Sequence, residues 1–476
     1  MPQALSSFSP LAERERLVTL DILRAVALFG VFLMNMEFFT RPLGASGLGI
    51  EPGLAGFEYL LAWLEYVLVK GKFWMLFAML FGMGFAVMSE RAAQAERGFA
   101  GPYLRRTATL LVLGVAHMVL VWAGDILHAY ALAACVLLAI LHGRAWWLLL
   151  PVPLFLFAWL QLGGRGYLGG VIGFILFACA AHWIGRGHAG RLWRAGAMLY
   201  CSVSCVILAM TLPRLFAAPS VEQQAAAAKR AAELQASLAR ESEISAAGSY
   251  LENVALRLRD LIGNLPDETA LLVYAVGMFL IGAWFIRAGI LRNVETHRAL
   301  LRRIAWSCLP LGLALALCSV AIAPAYDPQR RAVYTVAAHL MQLASLPLSV
   351  GYVAALALLI HGRRELHLRW LAPTGRMALT HYLLQSVLGT LVFYGYGLGL
   401  WGRVDRAGQL LMVIAVFALQ VIASQWWLQR FRYGPMEWLW RAATYATWPP
   451  MLRRSPAEAP VSQDEPAARQ ARIHES

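Results

Sequence analysis

The sequence predicts an all-α fold: a polytopic transmembrane helix bundle of about 11–12 spans, with both termini cytoplasmic. Three observations carry this reading. Of 476 residues, 59% are hydrophobic and only 14% charged, and the mean hydropathy is +0.58. So small a polar fraction cannot clothe a soluble domain of this length. The apolar residues also fall into runs long enough to cross a hydrocarbon core, which takes roughly 20 helical residues. Finally, Arg-rich and Arg-poor loops alternate, as the positive-inside rule requires.

The first apolar run, residues 17–39, is too long for the core of a cleaved leader, which is about 7–15 residues, so it reads as a retained helix. Further spans are expected near 72–89, 107–123, 126–141, 146–162, 167–184, 195–217, 269–287, 304–323, 333–360, 376–399 and 409–428. Residues 57–70 are apolar but carry Glu58, Glu65 and Lys70, which suits a helix lying at the interface or dipping back. With the N-terminus inside, Arg91, Arg97, Arg105 and Arg106 fall in one cytoplasmic loop and Arg430, Arg432 and Arg441 in another. The chain then divides into a cytoplasmic tail (1–16), an N-terminal transmembrane half (17–217), an extracytoplasmic helical loop (218–268), a C-terminal half (269–445) and a disordered cytoplasmic tail (446–476). The loop is rich in Ala, Glu and Arg, a helix-forming composition. It reads as an amphipathic connector, or as a lid over an outward-facing pocket.

The net charge of +14 sits in short clusters between apolar runs, not on one continuous basic face, so no nucleic-acid partner is expected. The six cysteines all lie in apolar runs without a CxxC or zinc spacing. Neither a disulfide framework nor a metal is implied. Nucleotide, zinc-peptidase and hydrolase signatures are absent.

A charged side chain in a spanning helix costs about 2.5–3.5 kcal/mol on insertion scales and should face the protein interior. That filter selects the candidate site. In the first helix Asp21, Arg24 and Asn35 share one stripe at helical spacing. Asp21 and Arg24 read as an interfacial ion pair or a substrate contact, and Asn35 as an interhelical bond or a substrate contact. In LLVLGVAHMVLVWAGDILHAYAL, Asp125 follows Gly124 at a break between two spans, where it can cap the next helix. His117 lies about two turns deeper, with Trp122 between them. An imidazole titrates near pH 6.5 and can take a proton in the cell, so His117 is the candidate general base. His381 and Gln385 form an i, i+4 pair with Tyr382 beside them.

These residues also carry a resemblance. LDILRAVALFGVFLMNM, KFWMLFAMLFGMGFA, RRTATLLVLGVAHMVLVWAGDILHAYAL, LAPTGRMALTHYLLQS and YGPMEWLWRAATY, spread over residues 16–445, resemble the YeiB-like proteins, catalogued as domain of unknown function 418. More distantly, the chain resembles transmembrane acyltransferases such as lysosomal heparan glucosaminide acetyltransferase and the bacterial surface-polysaccharide O-acyltransferases. Those use cytosolic acyl-CoA to modify a sugar across the membrane. Their first helix opens with the pattern seen here as Leu20, Asp21 and Arg24, and has Asn or His where Asn35 stands. The glucosaminide enzymes carry a catalytic His soon after that position; MEFFTRPLGASG contains none.

The resemblance implies an acyl-CoA-dependent acyltransferase of the bacterial inner membrane, in contact with membrane lipid and acting on a glycan or lipid-linked acceptor. His117 would be the base, Asp125 its support and Asn35 an oxyanion donor. Arg24, Arg105 and Arg106 would meet the CoA phosphates, with Asp21, Trp122, His381, Tyr382 and Gln385 as further substrate contacts. The alternatives are a small-molecule permease or exporter with His117, Asp125 and His381 on a proton path, and a non-catalytic envelope assembly factor. A homodimer is left open.

Overall fold

The computed structural model describes residues 17–162, 165–185, 189–216, 220–264, 269–362 and 368–453. Of the two expected tails, 1–16 lies outside them; of 446–476, residues 446–453 are described and are held by the Leu452 bridge to Phe431 and the Trp438 indole bond to the Pro449 carbonyl, against the expected disorder. Its helices in chain order are α1 (Val18–Thr40), α2 (Gly56–Leu68), α3 (Lys72–Gln94), α4 (Ala100–Leu120), α5 (Leu127–His142), α6 (Val152–Leu162), α7 (Arg165–Ile184) and α8 (Ala189–Thr211). The series continues with α9 (Val221–Ala247), α10 (Tyr250–Asn264), α11 (Thr269–Arg287), α12 (Arg298–Ile322), α13 (Arg331–Ile360), α14 (Ala378–Phe393), α15 (Arg406–Arg430) and α16 (Pro435–Tyr445). Among the described residues the only β contacts are two isolated bridges, Gly49 with Ala325 and Phe431 with Leu452. Among the described residues nine helical segments are long and apolar enough to cross a bilayer, and three shorter apolar helices join them. In hydrocarbon each spanning segment must satisfy its own backbone, which is why this composition yields helices and nothing else.

Several helices run past the apolar stretch that betrays them. The span expected from residue 107 begins at Ala100, because Arg105 and Arg106 stay helical with their guanidinium groups engaged by the Thr444 carbonyl and the Trp440 ring. The span expected over 146–162 is broken instead. A 3-10 turn (Ala145–Leu149) precedes Pro151, and α6 starts only at Val152. The span expected to reach residue 399 stops at Phe393, where the chain enters turns containing Gly399 and Gly402 at positive φ.

At the centre, α11 packs against α8 and α3, while α1 packs against α3, α14 and the one-turn helix Ala372–Arg376. That last approach is very close: a Cβ on Gly375 would stand 1.7 Å from the carbonyl oxygen of Asp21. The segment expected to be an extracytoplasmic loop, 218–268, holds two helices among its described residues, α9 and α10. Ser220 and Gln223 form a reciprocal capping box that starts α9.

The short helix α2, 13 residues, cannot cross the membrane. It is held at the outer face by charge. Arg406, at the start of α15, donates to Glu65 at 3.0 Å and Glu37 at 3.3 Å, and its backbone N–H donates to Glu58 at 2.7 Å. Lys70 and Arg41 complete the cluster on Glu37 at 3.0 and 2.6 Å. The Arg406 side chain is 8% exposed, so its partners cannot exchange it for water. Arg406→Met should therefore lower stability by about 3–5 kcal/mol, because Glu65 loses its cation and buried Glu37 loses one of three. Thermal melting of the purified protein measures this. Adding Glu65→Gln should recover most of the loss, and a loss under about 1 kcal/mol would mean that the cluster is solvated.

Candidate functional site

Asp125 sits in the turn between α4 and α5 and is 6% exposed. The two helices meet tightly because residue 114 is glycine: a Cβ there would lie 2.4 Å from the His128 nitrogen and 3.0 Å from Asp125 Oδ2. A carboxylate so enclosed must be fully hydrogen-bonded. Its Oδ1 accepts from His117 Nδ1 at 2.8 Å, and its Oδ2 accepts from both the backbone N–H and Nδ1 of His128 at 3.1 Å. The Tyr382 hydroxyl donates to Oδ1 at 3.5 Å and accepts the Ile126 N–H at 3.3 Å. An ionised carboxylate is an acceptor only, so both imidazoles carry their proton on Nδ1. The Nε2 of His117 is buried with no hydrogen-bond partner among the described residues. In a neutral imidazole held through Nδ1–H, that nitrogen is the acceptor.

Beside this cluster lies a cavity of about 250 Å³. Arg24, Arg106, Arg376, Arg432 and Arg441 line it, against only two acids, Asp21 and Glu437. Deeper, its walls are aromatic and aliphatic, with Trp74, Phe77, Phe81 and Tyr130 prominent, and Leu127 and Tyr382 lie at its inner part. Tyr382 is the wall shared with the histidine cluster; its ring centre is 5.4 Å from that of His117.

The C-terminal helix α16 folds back to build the mouth. Arg106 lies over the Trp440 ring at 3.8 Å, and the Trp440 indole donates to the Arg106 carbonyl at 2.8 Å. Glu437 accepts the N–H groups of Leu379 and Thr380 at 2.7 and 3.0 Å, capping the first turn of α14. Burial pushes the Glu437 carboxyl up, although the hydrogen bonds from Thr380 and Leu379 pull the other way.

Of the candidates read from sequence, His117, Asp125 and Tyr382 come together, and Asp21, Arg24 and Arg106 line the adjoining cavity. Asp21 and Arg24 are also an ion pair at 2.6 Å. Trp122 is buried and packs on Phe39 with ring centres 4.5 Å apart, placing it at the outer end of α1, one turn beyond the buried Asn35. Arg105 points elsewhere, donating to the Thr444 carbonyl at 3.0 Å. His381 and Gln385 turn towards α15: His381 Nε2 meets Ser424 Oγ at 2.6 Å, and Gln385 donates to Gln420 at 2.9 Å. His128, Arg376, Arg432 and Arg441 were not among the candidates. His128 carried a readable signal, a titratable residue three positions after Asp125 at a helix start. Asp125→Asn should lower stability by about 2–3 kcal/mol, since it removes charge-assisted bonds to both imidazoles. Melting no different from that of the parent protein would mean that the carboxylate is not ionised.

Residues 285–447 match the family model described as a protein of unknown function, DUF418. An uncharacterised protein of Bacillus subtilis (strain 168), YxaH, is 29% identical over 95% of this chain and 100% of its own length. An uncharacterised protein of Escherichia coli (strain K12), YeiB, is also 29% identical, over 93% of this chain and 99% of its own. A third relative, an uncharacterised 39.9 kDa protein encoded in the 3' region of an amylase of Bacillus acidopullulyticus, is 24% identical over 94% of this chain.

Proposed function

Starting from a YeiB-like membrane protein of the DUF418 family, we propose that the chain transfers an acyl group from cytosolic acyl-CoA to a glycan or lipid-linked acceptor at the far side of the bacterial cytoplasmic membrane. One observation carries the reading. One cavity has five arginines, a set of aromatic and aliphatic walls and Tyr382 in its lining, and Tyr382 touches the His117–Asp125 pair. A CoA thioester has the same polarity from end to end, with phosphates first and an uncharged arm and acyl group after. Arginine is suited to the phosphates.

In this reading the acceptor hydroxyl gives its proton to His117 Nε2 as its oxygen attacks the thioester carbonyl. The tetrahedral intermediate collapses with cleavage of the carbon–sulfur bond, and the imidazolium returns the proton to the departing thiolate. An ester and free CoA result. Asp125 stabilises the imidazolium that forms between the two proton transfers, as an orienting carboxylate does in other histidine-based catalysis. Tyr382 and Asn35 are the donors proposed for the oxyanion. Arg24 and Arg106 take the phosphates, joined in that role by Arg376, Arg432 and Arg441.

Ligands that bind only the folded state raise stability by mass action. At saturation one acyl-CoA of a panel should raise the melting temperature of the detergent-purified protein by about 2–5 °C. Free CoA should give a smaller rise, and Arg106→Ala should remove most of the shift. His117→Ala should keep the shift and abolish transfer of a radiolabelled acyl group to membrane glycans or lipids. A flat profile with well-folded protein would overturn the donor assignment in favour of a permease or an assembly factor. Full transfer by His117→Ala would overturn the base.

A further inference from the structure

The extracytoplasmic helices hold a second feature that the donor cavity and the histidine cluster do not use. Arg257, on α10, is 3% exposed. Its Nη2 donates to the Tyr396 hydroxyl at 3.2 Å, and its guanidinium lies 5.5 Å from the centre of the Tyr394 ring. Its Nη1 is buried without a hydrogen-bond partner. The nearby carboxylate of Glu241 is engaged elsewhere, accepting the backbone N–H groups of Leu43 and Gly44 at 2.6 and 3.3 Å. A buried cation satisfied by one phenol and one ring face is far from its needs: a guanidinium has five N–H donors and normally meets an anion when withdrawn from water.

The surroundings suit a sugar-bearing anion. Tyr250, Tyr396, Tyr394 and Trp401 form a chain of edge-on rings with centres 5.2–5.6 Å apart. Tyr250 is 41% exposed, so this aromatic wall reaches solvent. It also stands over the candidate site. The Tyr250 hydroxyl donates to the Leu120 carbonyl at the outer end of α4, the helix that carries His117. The Gly395 N–H donates to Ser245 at 2.9 Å, tying α9 to the end of α14, the helix that carries Tyr382.

We infer that Arg257, with Tyr394 and Tyr396, is an extracytoplasmic binding site for an oxyanion, a phosphate carried on a sugar or a lipid head group. The inference rests on the proposed function only in making that molecule the acceptor; the binding site itself stands on Arg257. The phosphate oxygens take the unused Nη1 donor and compensate the guanidinium charge, while the aromatic wall turns aside to admit the group and then packs on a sugar face. Bound there, an acceptor lies outside the membrane above the helices of the histidine cluster, on the opposite side from the arginine-lined mouth.

The test uses the full chain and needs no acyl-CoA. Melting is followed with inorganic phosphate, glucose 1-phosphate and glucose in detergent, and in nanodiscs of phosphatidylglycerol against phosphatidylcholine. A saturable rise with a phosphate-bearing probe and none with glucose is expected, and the rise should disappear in Arg257→Gln and weaken in Arg257→Lys. A rise with glucose 1-phosphate identifies a sugar source; a rise confined to phosphatidylglycerol identifies a lipid. Without ligand, Arg257→Gln should melt at or above the parent temperature, because it removes an uncompensated buried charge. Absence of a rise with every probe, or a rise unchanged in Arg257→Gln, overturns the site. A ligand-free melting temperature several degrees lower in Arg257→Gln would also overturn it, since the guanidinium would then be structurally satisfied. A shift with acyl-CoA that persists in Arg257→Gln keeps this outcome separate from the donor assignment.

Discussion

The carboxylate of Asp125 is the interaction on which the site depends. An ionised group cannot be held away from water without donors, and here the donors come from three elements: α4 through His117, α5 through His128 and α14 through Tyr382. The charge therefore fixes the angle between α4 and α5, selects the tautomers of two histidines and draws Tyr382 against them. The same physics sets the outer face, where Arg406 ties α15 to α1 and α2 through Glu37 and Glu65. In a bilayer, apolar contact alone discriminates weakly between helix neighbours, so buried charge takes a large part in specifying them.

The two halves of the functional reading are on opposite sides of Tyr382. On one is an arginine-lined, aromatic-walled cavity; on the other is a histidine whose Nε2 is buried without a hydrogen-bond partner. A transferase that joins a cytosolic donor to an outer acceptor needs such a separation, because a base in open contact with the thioester and water would promote hydrolysis. The elbow between α9 and α10 closes the other side, docking on the ends of α4 and α14.

Fold class was legible because lipid imposes a length and a composition on every crossing segment. The His117–Asp125 pair was legible because both residues sit in one helical hairpin, within eight positions. What escaped was brought together by tertiary structure. Arg376, Arg432 and Arg441 carry no mark of a site in the sequence, and they meet at the cavity only when the one-turn helix Ala372–Arg376, the segment before α16 and α16 itself come together there. Glu65 and Lys70 were visible as charges in an apolar segment, but their partners Arg406 and Glu37 lie hundreds of residues away or in another helix. His381 and Gln385 illustrate the converse. Their i, i+4 spacing correctly gives one shared face, and that face meets α15, while the adjacent Tyr382 turns to the site.

The most direct measurement of the central claim is photocrosslinking by an acyl-CoA with a diazirine at the acyl end, followed by mapping of the labelled peptide. The account predicts label on the walls leading to Tyr382, in Trp74–Phe81 or Leu379–Tyr382, competed by the unmodified thioester. Competed label confined to the lipid-facing surfaces of α6, α7 or α12, or label that the thioester does not compete, would contradict it.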